Sequence, residues 1–172
     1  MEINMKPRPI IFMVMLMVAI CSGDAVLSAS NQHTLIKSLG TAKISLQKGL
    51  MSAQRHGQPI SARFEVEDGK FRLSVYVANK EQFSELLVDY NTGKIVKSEP
   101  ITQSGDLNTA KAQSTALTKA KTTLIAVIDK TVRGSPGFRA ISVTPELKDG
   151  HAMASVVLLK GEELKSVEQS LE

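Results

Sequence analysis

Three histidines, one cysteine and no tryptophan leave carboxylates, hydroxyls and lysines as the main side chains able to do chemistry in this chain. His33, His56 and His151 share no HxxxH or HExxH spacing, so no helix turn brings two of them to one metal ion. They read as surface residues, with His56 at a helix end where a protonated ring favours the dipole. Glu65, Glu67 and Asp68 form a small acidic group. Paired carboxylates do acid–base work when their surroundings separate their pKa values. On a strand, however, Glu65 and Glu67 point the same way, opposite to Phe64 and Val66, which reads as a solvated face. The serines occupy no Gly-x-Ser-x-Gly elbow. No Walker loop and no Gly-x-Gly-x-x-Gly turn is present, and Gly134-Ser135-Pro136-Gly137 reads as a loop rather than a phosphate cradle. The expectation is a protein that is not an enzyme, with no catalytic residue, no metal and no cofactor.

The N-terminus carries a different signal. Lys6 and Arg8 precede an unbroken apolar run from Ile10 to Ile20, and small residues follow at Ser22, Gly23, Ala25, Ser28 and Ala29. Charge, then apolar run, then small residues is the order of a secretory signal peptide. The run is shorter than the roughly 20 apolar residues that a spanning helix needs. Positions 1–29 are therefore read as a signal peptide, cleaved after Ala29 or, as second choice, after Ala25. Cys21 follows the apolar run as a lipid-bearing cysteine would, but that peptidase selects Gly, Ala or Ser before it, and Ile20 stands there. With Cys21 removed, thiol catalysis, Cys-based zinc sites and CxxC redox chemistry are excluded. The expected location is periplasmic or secreted, with no stable membrane anchor after cleavage.

The net charge of +4 is mild, and the lysines and arginines are scattered. A nucleic-acid binder shows a clustered basic stripe with interleaved aromatics. Neither is visible, so nucleic acid is not expected as a partner.

The remaining chain resembles itself when shifted by 81 positions. Ile60-Ser61 falls on Ile141-Ser142, Asp68-Gly69 on Asp149-Gly150, and Ser74-Val75 on Ser155-Val156. In the first half, Leu35, Leu39, Ala42, Leu46, Leu50 and Ala53 recur at helical spacing, with a break at Gly40-Thr41 and Ser45 as a cap for the second piece. Gly49 inside that piece costs helix stability unless it lets a strand approach closely. The period then becomes two. Ile60, Ala62, Phe64 and Val66 alternate with polar residues, Asp68-Gly69 signals a hairpin, and Phe71, Leu73, Val75 and Val77 alternate again. Phe83 to Tyr90 reads as a third strand and Lys94 to Lys97 as a short fourth.

The second half follows the same plan. A helix is expected from Thr109 to Val132, then strands from Phe138 to Val143, limited by Pro145, and from Ala152 to Leu159. Leu164 to Leu171 reads as a third strand, with helix as the alternative. Met51 and Met153 are expected in the core. The expected fold is α+β: two tandem units, each a helix packed on an antiparallel β-sheet in two layers. Positions 30–101 form the first unit, 102–108 a linker around Ser104-Gly105-Asp106, and 109–172 a second, degenerate unit.

The stretch Phe71 to Val77, followed by Leu86 to Val96 with Asp89, Thr92, Gly93 and Lys94 in an Asp-x-x-Thr-Gly-Lys pattern, resembles the PepSY domain family. The resemblance spans about Thr41 to Ile101; the second unit lacks the Thr-Gly-Lys turn. The same four residues are also good turn chemistry, because Asp89 or Asn91 can bond the turn backbone and Gly93 supplies positive φ. The resemblance implies a secreted or envelope module, found alone or in propeptides of thermolysin-type metalloproteases, with a protein-binding or protease-inhibitory role. The expected function is an exported, non-catalytic module that binds an envelope or secreted protein, a protease being the suggested class. The contact surface would be strand edges and hairpin tips, with Asp68, Gly69, Asp89, Thr92, Gly93 and Lys94 as candidate binding residues. The alternative is an envelope sensor for a small ligand or lipid, held in an apolar cavity between helices and sheet.

Overall fold

Ser45 and Thr123 set the start of two helices by the same device. Each side-chain hydroxyl accepts a hydrogen bond from the backbone N–H three residues on, Lys48 and Ala126 respectively, both at 3.2 Å. A capped N–H replaces one lost to water at the first turn. These helices are α2 (Leu46–Ala53) and α4 (Leu124–Arg133) in a computed structural model that describes residues 25–172. Positions 1–24, and with them most of the expected signal peptide and Cys21, lie outside the described residues. Ala25 and Ala29 fall in the first turns of α1 (Ala25–Leu39), and α3 covers Ser104–Thr118.

The strands are β1 (Gln58–Glu67), β2 (Lys70–Asn79), β3 (Gln82–Val88), β4 (Ile95–Pro100), β5 (Arg139–Lys148), β6 (His151–Lys160) and β7 (Glu163–Ser170). They form one antiparallel sheet in the order β4-β3-β2-β1-β5-β6-β7. Among the described residues the architecture is therefore α+β, with four helices on a single seven-stranded sheet. The strands of both halves join through two pairs, Ala62 with Val143 and Arg63 with Ser142.

The hairpins turn where the sequence provides positive φ. Asp68 and Gly69 lie at φ 49° and 71°, Asp149 and Gly150 at 51° and 84°. Both central residues of a two-residue hairpin need the left-handed region, which matches the twist of the strands. The two halves also share a bulge. Pairing with the neighbouring strand skips Ile60 in β1 and Ile141 in β5, 81 positions apart. The helix caps Ser45 and Thr123 stand 78 apart, so three extra residues lie between the α4 cap and β5, two in the helix and one in the loop, and the ungapped shift holds only for the strands.

The larger core joins both halves. Leu46 and Leu50 from α2, Leu124, Val127 and Ile128 from α4, and Val75, Val143, Val156 and Leu158 from the sheet pack in one cluster. Removing each fully buried leucine from water stabilises the fold by about 2 kcal/mol. A second cluster holds Ile60, Tyr76, Ala78, Phe83, Ile101 and Ala110 of α3. Val75 and Val77 belong to the first cluster and Tyr76 and Ala78 to the second, so β2 is covered on both faces. The expected two-layer unit with one polar face thus gains a third layer here, because the bulge turns Ile60 away from the face of Ala62.

Other expectations also change. The single helix over 109–132 is two helices, interrupted where the Lys121 and Thr122 N–H groups donate to the Leu171 carbonyl at 2.6 and 2.8 Å. The polar stretch read as a linker is helical from Ser104, with Asp106 in the first turn, where a carboxylate suits the helix dipole. Pro145 does not end its strand: it lies opposite Ala154 in β5. Pairing with β1 extends no further than Val143, so on that side β5 needs no N–H from Pro145. Met51 is 48 % exposed rather than in the core, one step beyond the buried stripe of Leu46, Gly49, Leu50 and Ala53. The stretch left open between strand and helix near the C-terminus is strand, β7.

Candidate functional site

β1 and β3 are both antiparallel to β2, so the turns that follow them emerge at the same end of the sheet. This brings Asp68-Gly69 and Asp89 to Lys94 to one pole of the molecule. Three aromatic rings tie them together. Phe64 stacks on Phe71 at 5.7 Å between centroids, and Phe71 meets Tyr90 at 4.9 Å in a tilted pair. Gly69 is open at the tip, with no atom within 4 Å of where a Cβ would stand.

The Asp89 turn is closed on itself. Asp89 Oδ1 accepts from the N–H groups of Asn91 and Thr92 at 2.8 and 2.7 Å. The Gly93 N–H donates to the Asp89 carbonyl at 2.7 Å, and the Asp89 N–H to the Lys94 carbonyl at 2.8 Å. The Lys94 N–H donates to Thr92 Oγ1 at 3.3 Å. Gly93 takes φ 77°, as its place in the turn requires. The bonds from the Thr92 and Asn91 backbone hold the Asp89 carboxyl below its ordinary value. The turn also anchors the helical layer, because the Tyr90 carbonyl accepts from Lys43 and Ile44 N–H at 2.9 and 3.1 Å. Leu171 accepts from Lys121 and Thr122 in the same way in the second half. Asp89 Oδ1, Thr92 Oγ1 and the turn backbone are thus engaged in holding the fold.

The densest group of ionisable residues lies on one face of β1, β2 and β3, where sequence reasoning had placed a solvated surface. Arg63 Nη2 donates to the Tyr76 hydroxyl at 2.9 Å, and that hydroxyl donates to Glu85 Oε1 at 3.3 Å. Arg63 Nε meets Glu65 Oε2 at 2.7 Å, and Ser74 Oγ donates to Glu65 Oε1 at 2.6 Å. Arg72 pairs with Glu67. Tyr76 and Glu85 are buried, while Glu65 and Glu67 are half-buried and ion-paired rather than solvated. Burial pushes the Tyr76 phenol well above its ordinary range, so it stays a hydrogen-bond donor at any physiological pH. The signal for this network was present in sequence as Arg and Glu at alternate positions of neighbouring strands, but the cross-strand partners depend on register. Each charge here has a partner, and the network fastens three strands.

His33, His56 and His151 are all exposed. His151 Nδ1 lies 3.2 Å from Glu172 Oε2. Among the described residues, no group of three His, Cys, Asp or Glu side chains is placed to hold a metal ion. No helix among them is long and apolar enough to cross a membrane. The clefts between helices and sheet are open at the surface. One of about 240 Å³ is lined by residues including Leu50, Pro59, Leu117 and Leu124, and one of about 460 Å³ by residues including Leu39, Phe138, Arg139 and Lys160.

The free strand edges are β4 and β7, and they differ. β4 has six residues, ends in Pro100, and loses register with β3 at Val96, and each edge carries one lysine, Lys97 and Lys165. β7 has eight residues, no proline and an unbroken register with β6 from Lys160–Glu163 to Met153–Ser170. The Leu171 N–H donates to the Ala152 carbonyl at 2.9 Å. By the alternation of an antiparallel ladder, the backbone groups of Leu164, Ser166, Glu168 and Ser170 then point outward.

No protein-family model matches this chain. No curated protein matches it. Among solved structures, a candidate lipoprotein from Clostridium difficile 630 is similar at 13 % identity with a TM-score of 0.42, over 71 % of this chain and 82 % of that one.

Proposed function

We propose that this chain is an exported, non-catalytic binding protein that captures an extended segment of another envelope or secreted protein along the outer edge of β7. One observation carries the reading: β7 offers an uninterrupted row of outward backbone groups, whereas β4 is short, bulged and ends in Pro100. Proline and bulges blunt an edge against strand addition, and β7 has neither, so its edge can accept a strand although Lys165 lies in it. The aligned turn at Asp68-Gly69 and Asp89 to Lys94 supplies a second contact area at the end of the sheet.

The chain is further proposed to consist of two tandem copies of one PepSY-like unit. Supporting this are the bulges at Ile60 and Ile141, the caps at Ser45 and Thr123, and the matching clamps by the Tyr90 and Leu171 carbonyls. The resemblance to PepSY makes a secreted or envelope protease the first partner class to examine. Export rests on the charge, apolar run and small residues of positions 1–29.

The test is affinity capture from the host envelope fraction with C-terminally tagged wild type, Ser166→Pro and Ser98→Pro, read by mass spectrometry. Ser166→Pro removes an outward N–H from β7, and Ser98→Pro does the same on β4. A partner enriched by wild type and Ser98→Pro but lost with Ser166→Pro is the expected result. A partner retained equally by folded Ser166→Pro would exclude the β7 edge.

A further inference from the structure

The open cleft of about 460 Å³ lies between the end of α1 and the strand ends of β5 and β6. Ile36, Leu39, Phe138 and Leu159 give it an apolar lining, and Arg139 and Lys160 complete it. The Arg139 guanidinium is committed, donating to the Leu39 and Ile44 carbonyls at 3.0 and 3.1 Å. Lys160 is not committed in this way. Its ammonium stands 5.7 Å from the centroid of the Phe138 ring, and the Lys165 ammonium stands 5.9 Å from the same ring.

The ladder explains this convergence. Lys160 pairs with Glu163, and Lys165 with Leu158, so the two lysines are diagonal neighbours on one face of the sheet. The Lys160 stem lies across Gly137, whose Cβ position would be 3.1 Å from Cε. Lys165 Nζ lies 3.5 Å from Ser135 Oγ. An aromatic face attracts each cation but leaves both charges in place, and the two repel each other. Among the described residues, neither ammonium has a carboxylate within ion-pair distance, and Glu163, across from Lys160, is exposed and not bonded to it. Two cations held over one ring, beside an apolar cleft, form a surface whose complement is an anionic group with an apolar tail.

We infer that this cleft binds an amphiphile with an anionic headgroup, the headgroup lying between Lys160 and Lys165 and the tail along Ile36, Leu39 and Leu159. The site uses side chains on a sheet face and does not depend on strand capture by the backbone edge of β7.

The test is a titration of the full chain with dodecyl phosphate below its micellar concentration, followed by the amide NMR signals of Gly137, Phe138 and Gly161. Parallel titrations use inorganic phosphate and the non-ionic dodecyl maltoside. Expected are saturable shifts with dodecyl phosphate, weaker binding of inorganic phosphate, and none of dodecyl maltoside. The double variant Lys160→Gln/Lys165→Gln should bind dodecyl phosphate at least tenfold more weakly. Lys80→Gln/Lys119→Gln, which removes the same charge elsewhere, should bind as wild type does. Inorganic phosphate binding as tightly as dodecyl phosphate would overturn the amphiphile and point to a free phosphate source. Absence of saturable shifts, or equal affinity of the Lys160/Lys165 variant, would overturn the site.

Discussion

Ala62 lies directly across from Val143 where β1 meets β5, and the two positions are counterparts under the 81-residue offset. The seam that joins the halves therefore pairs positions that the 81-residue offset places on each other. The seam is narrow in backbone terms, with Arg63 and Ser142 as the other pair. What holds it is the side-chain layer, since α2 and α4 pack into one cluster with strands from both halves.

That shared core makes the chain one cooperative unit. Calorimetry should show a single unfolding transition, and two separated transitions would show that the halves fold independently. Val143 is fully buried at the seam. Val143→Ala should lower stability by about 2 kcal/mol in urea unfolding while keeping one transition.

Gly49 sits against Leu73, with only 2.7 Å between a would-be Cβ and Leu73 Cδ2. Alanine favours a helix interior by about 1 kcal/mol over glycine. Overpacking a tight core costs about 1–3 kcal/mol. The packing loss should win, so Gly49→Ala should be less stable than wild type. Combining it with Leu73→Val should cost less than the sum of the two changes. A Gly49→Ala variant more stable than wild type would show that Leu73 moves aside freely.

Tyr76→Phe removes the hydroxyl that links Arg63 to Glu85 and leaves their facing atoms without that partner. Such a loss costs about 1–3 kcal/mol. Urea unfolding should show a drop of that size with unchanged slope. No drop would mean that water replaces the hydroxyl at little cost.

Asp89 predicts a pH dependence. Its folded carboxyl titrates below the ordinary value of 3.8, so its charged form stabilises the fold above that pH. The contribution is lost as pH falls through the folded value. Asp89→Ala should therefore lower Tm at pH 7, and the gap from wild type should narrow as the pH falls below the ordinary carboxyl value of 3.8. A gap that is constant with pH would place the Asp89 effect elsewhere.

The elements were largely legible because their signals are local. The break at Gly40-Thr41, the Ser45 cap, the close approach at Gly49 and the Asp-Gly hairpins each depend on a few neighbouring residues, and each stands where the residues indicate. The break in the second half was missed because nothing between Lys119 and Thr123 resembles Gly40-Thr41. It is set by the Leu171 carbonyl, some fifty residues away in sequence. Pro145 misled for a related reason. A proline forbids a strand only where its N–H is needed, and that depends on what lies beside β5. The candidate turn at Asp89 was legible as a turn, whereas the partners of Glu65 and Glu67 were not, because a one-residue change of register replaces every cross-strand neighbour.

The sequence by itself determined the alternation of helices and strands, the hairpin turns, the aliphatic core residues and the self-similarity of the two halves. These follow from side-chain periodicity and from the conformations that Gly, Asp, Ser and Pro permit within a few residues. Only the tertiary structure decided that both halves share one sheet, that bulges at Ile60 and Ile141 redirect side chains, and that Lys160 and Lys165 converge on Phe138. Those features depend on which strand lies beside which and in what register, a choice made by packing over the whole chain rather than by any one segment.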